Sequence, residues 1–283
     1  MQSVDQLDAL REQVQQWRDD KRSIAFVPTM GNLHQGHLSL VRRAQELADK
    51  VIVSVFVNPL QFDDKNDLSA YPRTLVADIE KLESVASDLV FTPTADTVYP
   101  NGMDEQTVIT VPSMDNKLCG QARPGHFDGV ATVVAKLFNM VQADFAVFGE
   151  KDYQQLLLIR KMVSDLNIPI TIIAGETYRE KNGLAMSSRN QYLNAKQRDI
   201  AAALYQNLLS IKNKLEQGDE DFLALEKYAV KSLHESGFVP DYVDIRRADD
   251  LERAEKGDKS LRILVAARLG NARLIDNIAC NLA

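Results

Sequence analysis

Cysteine is scarce in this sequence, and long apolar runs are missing from it. Cys119 and Cys280 are the two cysteines among 283 residues. They are too few for a disulfide framework and suit a reducing compartment. No apolar run approaches the ~20 residues needed to cross a bilayer. The first residues, Met1 to Trp17, are polar and helical in pattern, which is unlike a signal peptide. The sequence therefore predicts a cytoplasmic protein with no membrane partner.

Basic residues are fewer than acidic ones. The 33 Lys and Arg residues stand against 40 Asp and Glu residues, which gives a formal net charge of −7. A nucleic-acid binder usually presents a positive face, so this balance argues against DNA or RNA as a partner. An anionic substrate would have to be held by a few placed cations and backbone amides, because the overall field repels it.

Apolar runs of strand length alternate with segments of helical period through the first two thirds of the chain. The predicted strands are Ile24–Val27, Val51–Val57, Asp88–Phe91, Phe145–Phe148 and Ile170–Ala174. Continuous β-branched runs of this kind are typical of strands buried on both faces of a parallel sheet. The alternation predicts an α/β fold with a Rossmann-like sheet, whose ligands lie at the carboxyl ends of the strands.

The pattern changes after about Ser188. Two long amphipathic helices are predicted over Ala195–Gln217 and Phe222–Ser236, followed by strands near Tyr242–Arg246, Ile263–Ala267 and Leu274–Asp276. At a typical ~150 residues per domain, the length suits two domains. We expect a Rossmann-like domain over residues 1–176 and a smaller α+β lid domain over 177–283, joined through the polar stretch Gly175–Asn190.

The most informative segment is Pro28–His37, which reads Pro-Thr-Met-Gly-Asn-Leu-His-Gln-Gly-His. It follows the first predicted strand and opens a helix, whose amino terminus supplies amides and positive dipole charge to a phosphate. Gly31 and Gly36 permit unusual backbone angles and close approach of a ligand. His34 and His37 could face the same anion. The alternatives are a polar loop with two surface histidines, or a metal pair that lacks a third ligand nearby in sequence.

Two further segments carry cations near predicted strand ends or loops. Phe148–Gln155 contains Gly149, Lys151 and Asp152 and also opens a helix. Lysine is a flexible point charge suited to phosphate, although Asp152 could simply cap the helix. Met186–Asn190 places a serine pair before Arg189, whose planar fork can bind a polyphosphate. A serine pair in a linker can also be merely solvated.

The His34-Gln35-Gly36-His37 run resembles the His-x-Gly-His signature of nucleotidylyltransferases and class I aminoacyl-tRNA synthetases. Met186–Asn190 resembles the Lys-Met-Ser-Lys-Ser loop of that superfamily. Together with Phe56–Phe62, Tyr71–Thr74, Arg123–Phe127 and Leu269–Asn277, these segments resemble the pantothenate synthetase family over nearly the whole chain.

The resemblance implies ATP-dependent condensation of (R)-pantoate with β-alanine, which releases AMP and pyrophosphate through pantoyl adenylate. It also implies Mg²⁺ with the ATP and a homodimer. His37 would act as proton donor at the transferring phosphate, with His34, Lys151 and Arg189 assisting. Gln61 and Gln155 would bind pantoate, and no residue is assigned as a metal ligand. The implied ATP-binding residues are Met30, Gly31, Asn32, Leu33, His34, Gln35, Gly36, His37, Gly149, Glu150, Lys151, Asp152, Tyr178, Met186, Ser187, Ser188 and Arg189.

Two other classes of function stay open at this point. An aminoacyl-tRNA-synthetase-like enzyme is disfavoured by the net charge of −7 and by the lack of an extra RNA-binding region. A catalytically silent ATP-binding regulator is disfavoured because His34, His37, Lys151 and Arg189 are all intact. The resemblance gives Arg123 and His126 a place beside the site without a defined role.

Overall fold

The apolar runs of the first 176 residues form a parallel sheet in the computed structural model, which describes residues 1–62 and 65–282. Within that part of the chain the sheet has six strands: β1 Gln2–Val4, β2 Ile24–Thr29, β3 Lys50–Val55, β4 Leu89–Phe91, β5 Phe145–Gly149 and β6 Thr171–Gly175. Residues 24–27 and 51–53 are at most 1% exposed. Their burial is that of strands covered on both faces, and the predicted α/β class is confirmed.

Helices alternate with these strands. They are α1 Leu7–Asp19, α2 Gln35–Gln45, α3 Lys65–Ala70, α4 Leu75–Ser84, α5 Ala95–Val98, α6 Leu118–Ala122, α7 His126–Val141 and α8 Tyr153–Asp165. Single turns of 3-10 helix, Pro59–Gln61 and Glu150–Asp152, follow β3 and β5. Leu38, Val41 and Ala44 recur at helical spacing on α2 and belong to one apolar cluster with β2 and β3. The cluster fixes α2, and the loop that precedes it, over the sheet.

The strand order places the predicted loops beside one another. Across the sheet the order is β1-β4-β3-β2-β5-β6. The chain therefore passes from β2 to β3 and β4 on one side, and later returns to β5 on the other side of β2. In open α/β sheets, ligands bind at the carboxyl ends of the strands where the order reverses in this way. The loops after β2 and β5 flank that point, and the turn after β3 is their neighbour.

The carboxy-terminal part of the chain forms a second compact unit. It comprises Lys151–Tyr153 and the chain from Thr177 onward, whereas Met1–Glu150 and Gln154–Glu176 form the first unit. Ala283, at the end of the predicted second domain, lies outside the described residues. The unit contains a 3-10 turn Ser188–Tyr192, helices α9 Ala195–Ala201, α10 Ala203–Glu216 and α11 Phe222–Glu235, and strands β7 Val239–Arg247, β8 Ser260–Leu269 and β9 Ala272–Asn281. The three strands are antiparallel, with β8 in the middle.

Two local expectations were wrong. The chain start is not helical throughout, because Gln2–Val4 pairs with β4 as a parallel strand. A three-residue strand whose partner lies far along the chain leaves no local signal. The helix expected over Ala195–Gln217 is interrupted at Ala202, between α9 and α10. Ala202 keeps helical angles, φ −59° and ψ −23°, so the periodicity of the sequence carries no sign of the break.

None of the helices that the structure describes has both the length and the apolar character needed to cross a bilayer.

Candidate active site

The loop after β2 needs its first glycine. Thr29, the last residue of β2, donates from Oγ1 to the Ser54 carbonyl at 2.7 Å and accepts the Gly31 amide at 3.2 Å. Gly31 has φ +79°, and a Cβ there would lie 3.0 Å from Val55 Cγ1. A larger residue would be strained and crowded. Gly36, by contrast, is an ordinary helical residue of α2, so the expectation of unusual angles is wrong for it.

A buried carboxylate that the sequence reasoning missed holds this loop. Asp78 of α4 is fully buried. It accepts the backbone amides of Asn32 at 2.8 Å and Leu33 at 2.7 Å, and the Thr74 hydroxyl at 3.0 Å. Lys81 lies 3.8 Å from the same carboxylate and donates to the Leu33 carbonyl at 2.8 Å. A buried carboxylate needs such donors, and here two of them are backbone amides of the predicted nucleotide loop. Asp78 therefore fixes the path of that loop.

The two predicted histidines lie together at the start of α2. Their ring centroids are 4.1 Å apart with an interplanar angle of 37°. His34 is the N-cap and accepts the Gly36 amide on Nδ1 at 3.2 Å, while Nδ1 of His37 accepts the His34 amide at 3.2 Å. An Nδ1 that accepts a hydrogen bond leaves the proton of a neutral ring on Nε2. Both imidazoles therefore carry Nε2–H donors at the amino terminus of a helix.

The predicted pantoate residue Gln61 lies in the 3-10 turn after β3 and is 8% exposed. Its Oε1 accepts from Asn58 Nδ2 at 3.2 Å, and its Nε2 donates to Met30 Sδ at 3.0 Å. Asn58 also donates to the Gly129 carbonyl at 3.1 Å and accepts from the Tyr99 hydroxyl at 2.7 Å. Burial raises the pKa of Tyr99 above its usual value, so this phenol stays a donor. Asn58 and Tyr99, neither singled out from the sequence, thus orient Gln61.

Arg123 and His126 hold the backbone of the same glutamine. The Gln61 carbonyl lies 2.7 Å from His126 Nδ1 and 3.3 Å from Arg123 Nη2. A carbonyl only accepts, so His126 Nδ1 is the donor and its Nε2 accepts from Arg123 Nη1 at 3.2 Å. His126 therefore has the opposite tautomer to His34 and His37. Arg123 and His126, which had no defined role in the sequence analysis, thus contact the main-chain carbonyl of Gln61.

A glycine with space around its Cα ends β5, and two adjacent glutamines follow on α8. A Cβ on Gly149 would find Leu40 Cδ1 at 3.7 Å, an ordinary contact, so the fold itself does not require glycine there. Gln154 is 5% exposed, accepts the Cys119 amide at 3.1 Å and donates to two backbone carbonyls. Its role is structural. Gln155, the predicted pantoate residue, is half-buried on the first turn of α8.

Lys151 and Asp152 occupy the 3-10 turn that follows Gly149 along the chain. Lys151 belongs to the second unit. Its Nζ lies 3.7 Å from Asp152 Oδ1, and the two side chains are 18% and 48% exposed. An exposed ion pair of this length contributes little to stability. The lysine is thus a partly shielded cation without a strong partner in this pair.

The second unit also presents the predicted serine–arginine segment. Tyr178–Met186 forms a hairpin in which the Met186 amide donates to the Tyr178 carbonyl at 2.9 Å. Ser187 caps the following 3-10 turn by accepting the Arg189 amide on Oγ at 3.2 Å. Buried Asn190 donates to the Ala185 carbonyl at 3.1 Å. The predicted Ser187-Ser188-Arg189 run is therefore the start of a turn tied to a hairpin, not a loose linker.

Known proteins resemble the whole chain. The family model of pantoate-beta-alanine ligase matches residues 2–279. Pantothenate synthetase of Ectopseudomonas mendocina is 54% identical over 283 residues, which cover 100% of this chain and 99% of the relative. Pantothenate synthetase of Shewanella loihica is 50% identical over 279 residues, 99% of each chain.

Solved structures agree with these relatives. Pantothenate synthetase from Thermus thermophilus superposes with a TM-score of 0.91 at 41% identity and covers 98% of this chain and 99% of its own. Pantoate-beta-alanine ligase from Francisella tularensis, complexed with beta-gamma ATP and beta-alanine, gives a TM-score of 0.80 at 35% identity, with 98% and 97% coverage. The resemblance predicted from the sequence is confirmed, and this chain belongs to the pantoate–β-alanine ligase family.

Proposed function

We propose that this chain condenses (R)-pantoate with β-alanine at the expense of ATP and releases pantothenate, AMP and pyrophosphate. The observation that carries the proposal is the family match over residues 2–279, on a sheet whose switch point lies between β2 and β5. In the first step the pantoate carboxylate attacks the α-phosphate of ATP and pyrophosphate leaves. In the second, the amine of β-alanine attacks the acyl carbon of pantoyl adenylate, and AMP leaves.

The nucleotide would lie against the loop after β2 and the amino terminus of α2. The dipole of that helix favours a phosphate at its amino terminus. The ATP contacts are proposed for Met30–His37, Gly149–Asp152, Tyr178 and Met186–Arg189. Asp78 supports this role because it accepts the amides of Asn32 and Leu33 and so holds the backbone of the loop in place.

The cationic and imidazole groups would act on the phosphates. We assign the Nε2–H groups of His37 and His34 as donors to the α-phosphate oxygens, where charge develops in the transition state. Preorganised donors of this kind are often the largest contribution to catalysis. Lys151 and Arg189 would hold the remaining phosphates, the lysine as a point charge and the arginine as a planar fork.

Pantoate would be held by amides and by an apolar wall. Gln61 and Gln155 are proposed to donate hydrogen bonds to it, because an uncharged amide binds a carboxylate without neutralising it as a nucleophile. Val130, Val133 and Val134 lie on one face of α7 and are 2%, 4% and 5% exposed. They would contact the two methyl groups of pantoate. The β-alanine amine then needs access to the same acyl carbon.

Mg²⁺ would arrive with ATP. Among the described residues there is no group of three or more His, Cys, Asp or Glu side chains that could hold a metal ion. Mg²⁺ commonly binds through substrate phosphates, waters and one or two carboxylates rather than in a protein cage. The 48% exposed carboxylate of Asp152 fits that donor set, and it would hold the ion. When bound, Mg²⁺ would neutralise phosphate charge.

We further propose a homodimer in the cytoplasm. The two domains would be a Rossmann-like ATP and pantoate domain over residues 1–176 and a lid over residues 177–283, which would carry Arg189. The family resemblance supports the dimer and the lid, and two cysteines in 283 residues suit a reducing compartment.

A product assay tests the proposed function. The protein is incubated with ATP, Mg²⁺, (R)-pantoate and β-alanine, and nucleotides and acids are separated. We expect AMP, pyrophosphate and pantothenate in equal amounts, with no pantothenate when β-alanine is left out. Formation of ADP and phosphate would exclude the adenylate route, and no turnover at all would favour a silent ATP-binding protein.

A further inference from the structure

Two adjacent polar side chains of β9 are buried in the sheet of the second unit. Asp276 and Asn277 are each 3% exposed. Buried polar groups are retained at a cost unless they are fully hydrogen-bonded. Their partners include the Lys151 carbonyl and, through Arg179, the hairpin before Arg189.

Asn277 contacts the backbone of Lys151. Its Nδ2 donates to the Lys151 carbonyl at 2.9 Å. Its Oδ1 accepts from Arg262 Nε of β8. Arg262 is 4% exposed, so the acceptor side of the amide is occupied by a buried cation. This assigns the orientation of the amide, because arginine only donates.

Tyr153, the first residue of α8, is held by the same arginine. The guanidinium of Arg262 lies 3.9 Å from the ring centroid of Tyr153, and the Tyr153 hydroxyl donates to the Ala248 carbonyl at 3.0 Å. The main chain at Lys151 and the ring of Tyr153 are therefore both attached to the carboxy-terminal sheet. These contacts explain why Lys151–Tyr153 groups with the second unit although its flanking residues belong to the first.

Asp276 contacts the hairpin that leads to Arg189. It forms a bidentate pair with Arg179, at 2.6 and 2.9 Å. Arg179 stacks 3.7 Å from the Tyr205 ring centroid and donates to the Gly183 carbonyl at 3.0 Å. The side chains of this ion pair are 17% and 2% exposed. Bidentate geometry fixes the hairpin in orientation as well as in position.

We propose that Asp276 and Asn277 are positioning residues, which hold the Lys151 main chain and the hairpin before Arg189 on a single strand. Lysine has a flexible stem, so the place of its ammonium depends on where its backbone is anchored. Anchoring both segments to adjacent residues sets the spacing between the two cations that bind the polyphosphate. The inference rests on the proposed nucleotide role of Lys151 and Arg189.

Asn277→Asp is the sharpest test. The variant keeps an oxygen for Arg262 but replaces the donor to the Lys151 carbonyl with a repelling oxygen. We expect adenylation, measured as pantoate-dependent exchange of pyrophosphate into ATP, to fall roughly tenfold to a hundredfold, with a raised KM for ATP and an unchanged KM for pantoate. Asn281→Asp, on an exposed residue of the same strand, is the matched control and should behave as wild type.

A double-mutant cycle separates positioning from a general structural effect. If Asn277 acts through Lys151, Asn277→Asp should cost nothing further in a Lys151→Ala background, whereas it should keep its full cost in a His234→Ala background. His234 is exposed on α11. An equal loss in both backgrounds would overturn the proposal, and so would wild-type exchange by the Asn277→Asp protein.

Hydrogen–deuterium exchange keeps the test decisive if activity is lost. In Asn277→Asp, amide exchange should rise in peptides covering residues 150–154 and stay unchanged in β7 and β8. A rise over the whole second unit would overturn the positioning role. This measurement needs no substrate, so it tests the contact between Asn277 and the Lys151 carbonyl even if the wild-type protein does not exchange pyrophosphate. Failure of the wild-type protein to exchange pyrophosphate would instead contradict the proposed function.

Discussion

At the scale of single residues, backbone groups decide what each imidazole can do. His34 and His37 accept amides on Nδ1, so their neutral rings donate from Nε2. His126 donates from Nδ1 to the Gln61 carbonyl, so its Nε2 is an acceptor. The same type of side chain therefore presents Nε2–H donors in one place and holds the Gln61 carbonyl in another. Sequence alone cannot make this distinction, because it depends on which main-chain atoms lie nearby.

His37→Ala should cut adenylation by roughly 10²–10³, the scale for losing one preorganised donor. The free energy of unfolding should change little, because His37 is only half-buried. Pyrophosphate exchange and denaturant unfolding are the two measurements, with His234→Ala as a control on an exposed histidine. Near-wild-type exchange would return His37 to the alternative of a polar surface loop.

Substitution of a proposed pantoate glutamine should affect the binding of pantoate and not that of ATP. Gln155→Ala should weaken the binding of pantoate. The loss should be about 0.5–1.5 kcal/mol if Gln155 makes a neutral hydrogen bond, or ~1.5–3 kcal/mol if it bonds to the carboxylate. Gln155→Glu should be worse, because a second carboxylate repels the first. ATP binding should be largely unaffected in both. Calorimetric titration with each ligand measures this.

Two further variants serve as controls for the glutamine substitutions. Gln16→Glu adds the same charge on an exposed residue of α1 and should bind both ligands as wild type. Lys151→Ala should have the opposite effect: it should weaken the binding of ATP and leave the binding of pantoate unchanged. Unchanged pantoate binding by Gln155→Glu would mean that this glutamine does not contact the acid.

At the scale of elements, the close packing of α7 on the turn after β3 positions Gln61. A Cβ on Gly129 would collide with the Leu60 carbonyl, whereas one on Gly149 meets only Leu40 Cδ1 at 3.7 Å. Helix and turn therefore approach to a distance that only glycine allows. Gly129, the fourth residue of α7, therefore sets the place of Gln61, the proposed pantoate residue.

Gly129→Ala should lower the free energy of unfolding by about 1–3 kcal/mol, the usual cost of overpacking, and weaken pantoate by displacing Pro59–Gln61. Gly149→Ala is the matched variant: its stability should stay near wild type, while ATP binding should fall if the nucleotide approaches that backbone. Denaturant unfolding and calorimetry report the two effects. Equal stability of the two variants would contradict the packing argument.

The sequence predicted the elements whose signal is local. The strands around Ile24, Val51 and Phe145 are continuous apolar runs, and the two histidines share one turn, so their proximity followed from spacing. Asp78 was missed because the amides that it accepts, those of Asn32 and Leu33, lie on a loop far away in sequence. A carboxylate four residues before buried Leu82 on α4 was a usable signal. Such long-range polar contacts depend on the tertiary fold.

At the scale of the whole molecule, a chain with a net charge of −7 is proposed to bind two anions, ATP and pantoate. Local groups are proposed to offset this repulsion. They are a helix amino terminus with two imidazoles in the first unit, and Lys151 and Arg189 in the second. These two sets belong to different compact units, whereas Gln61 and Gln155, the proposed pantoate residues, both belong to the first.

Isotope exchange tests the central claim, adenylate formation, most directly. The wild-type protein is incubated with ATP, Mg²⁺, labelled pyrophosphate and (R)-pantoate, without β-alanine. If the pantoate carboxylate attacks the α-phosphate, label should enter ATP, and only when pantoate is present. Absence of exchange from a preparation that makes pantothenate when β-alanine is added, or exchange that does not need pantoate, would contradict the two-step account.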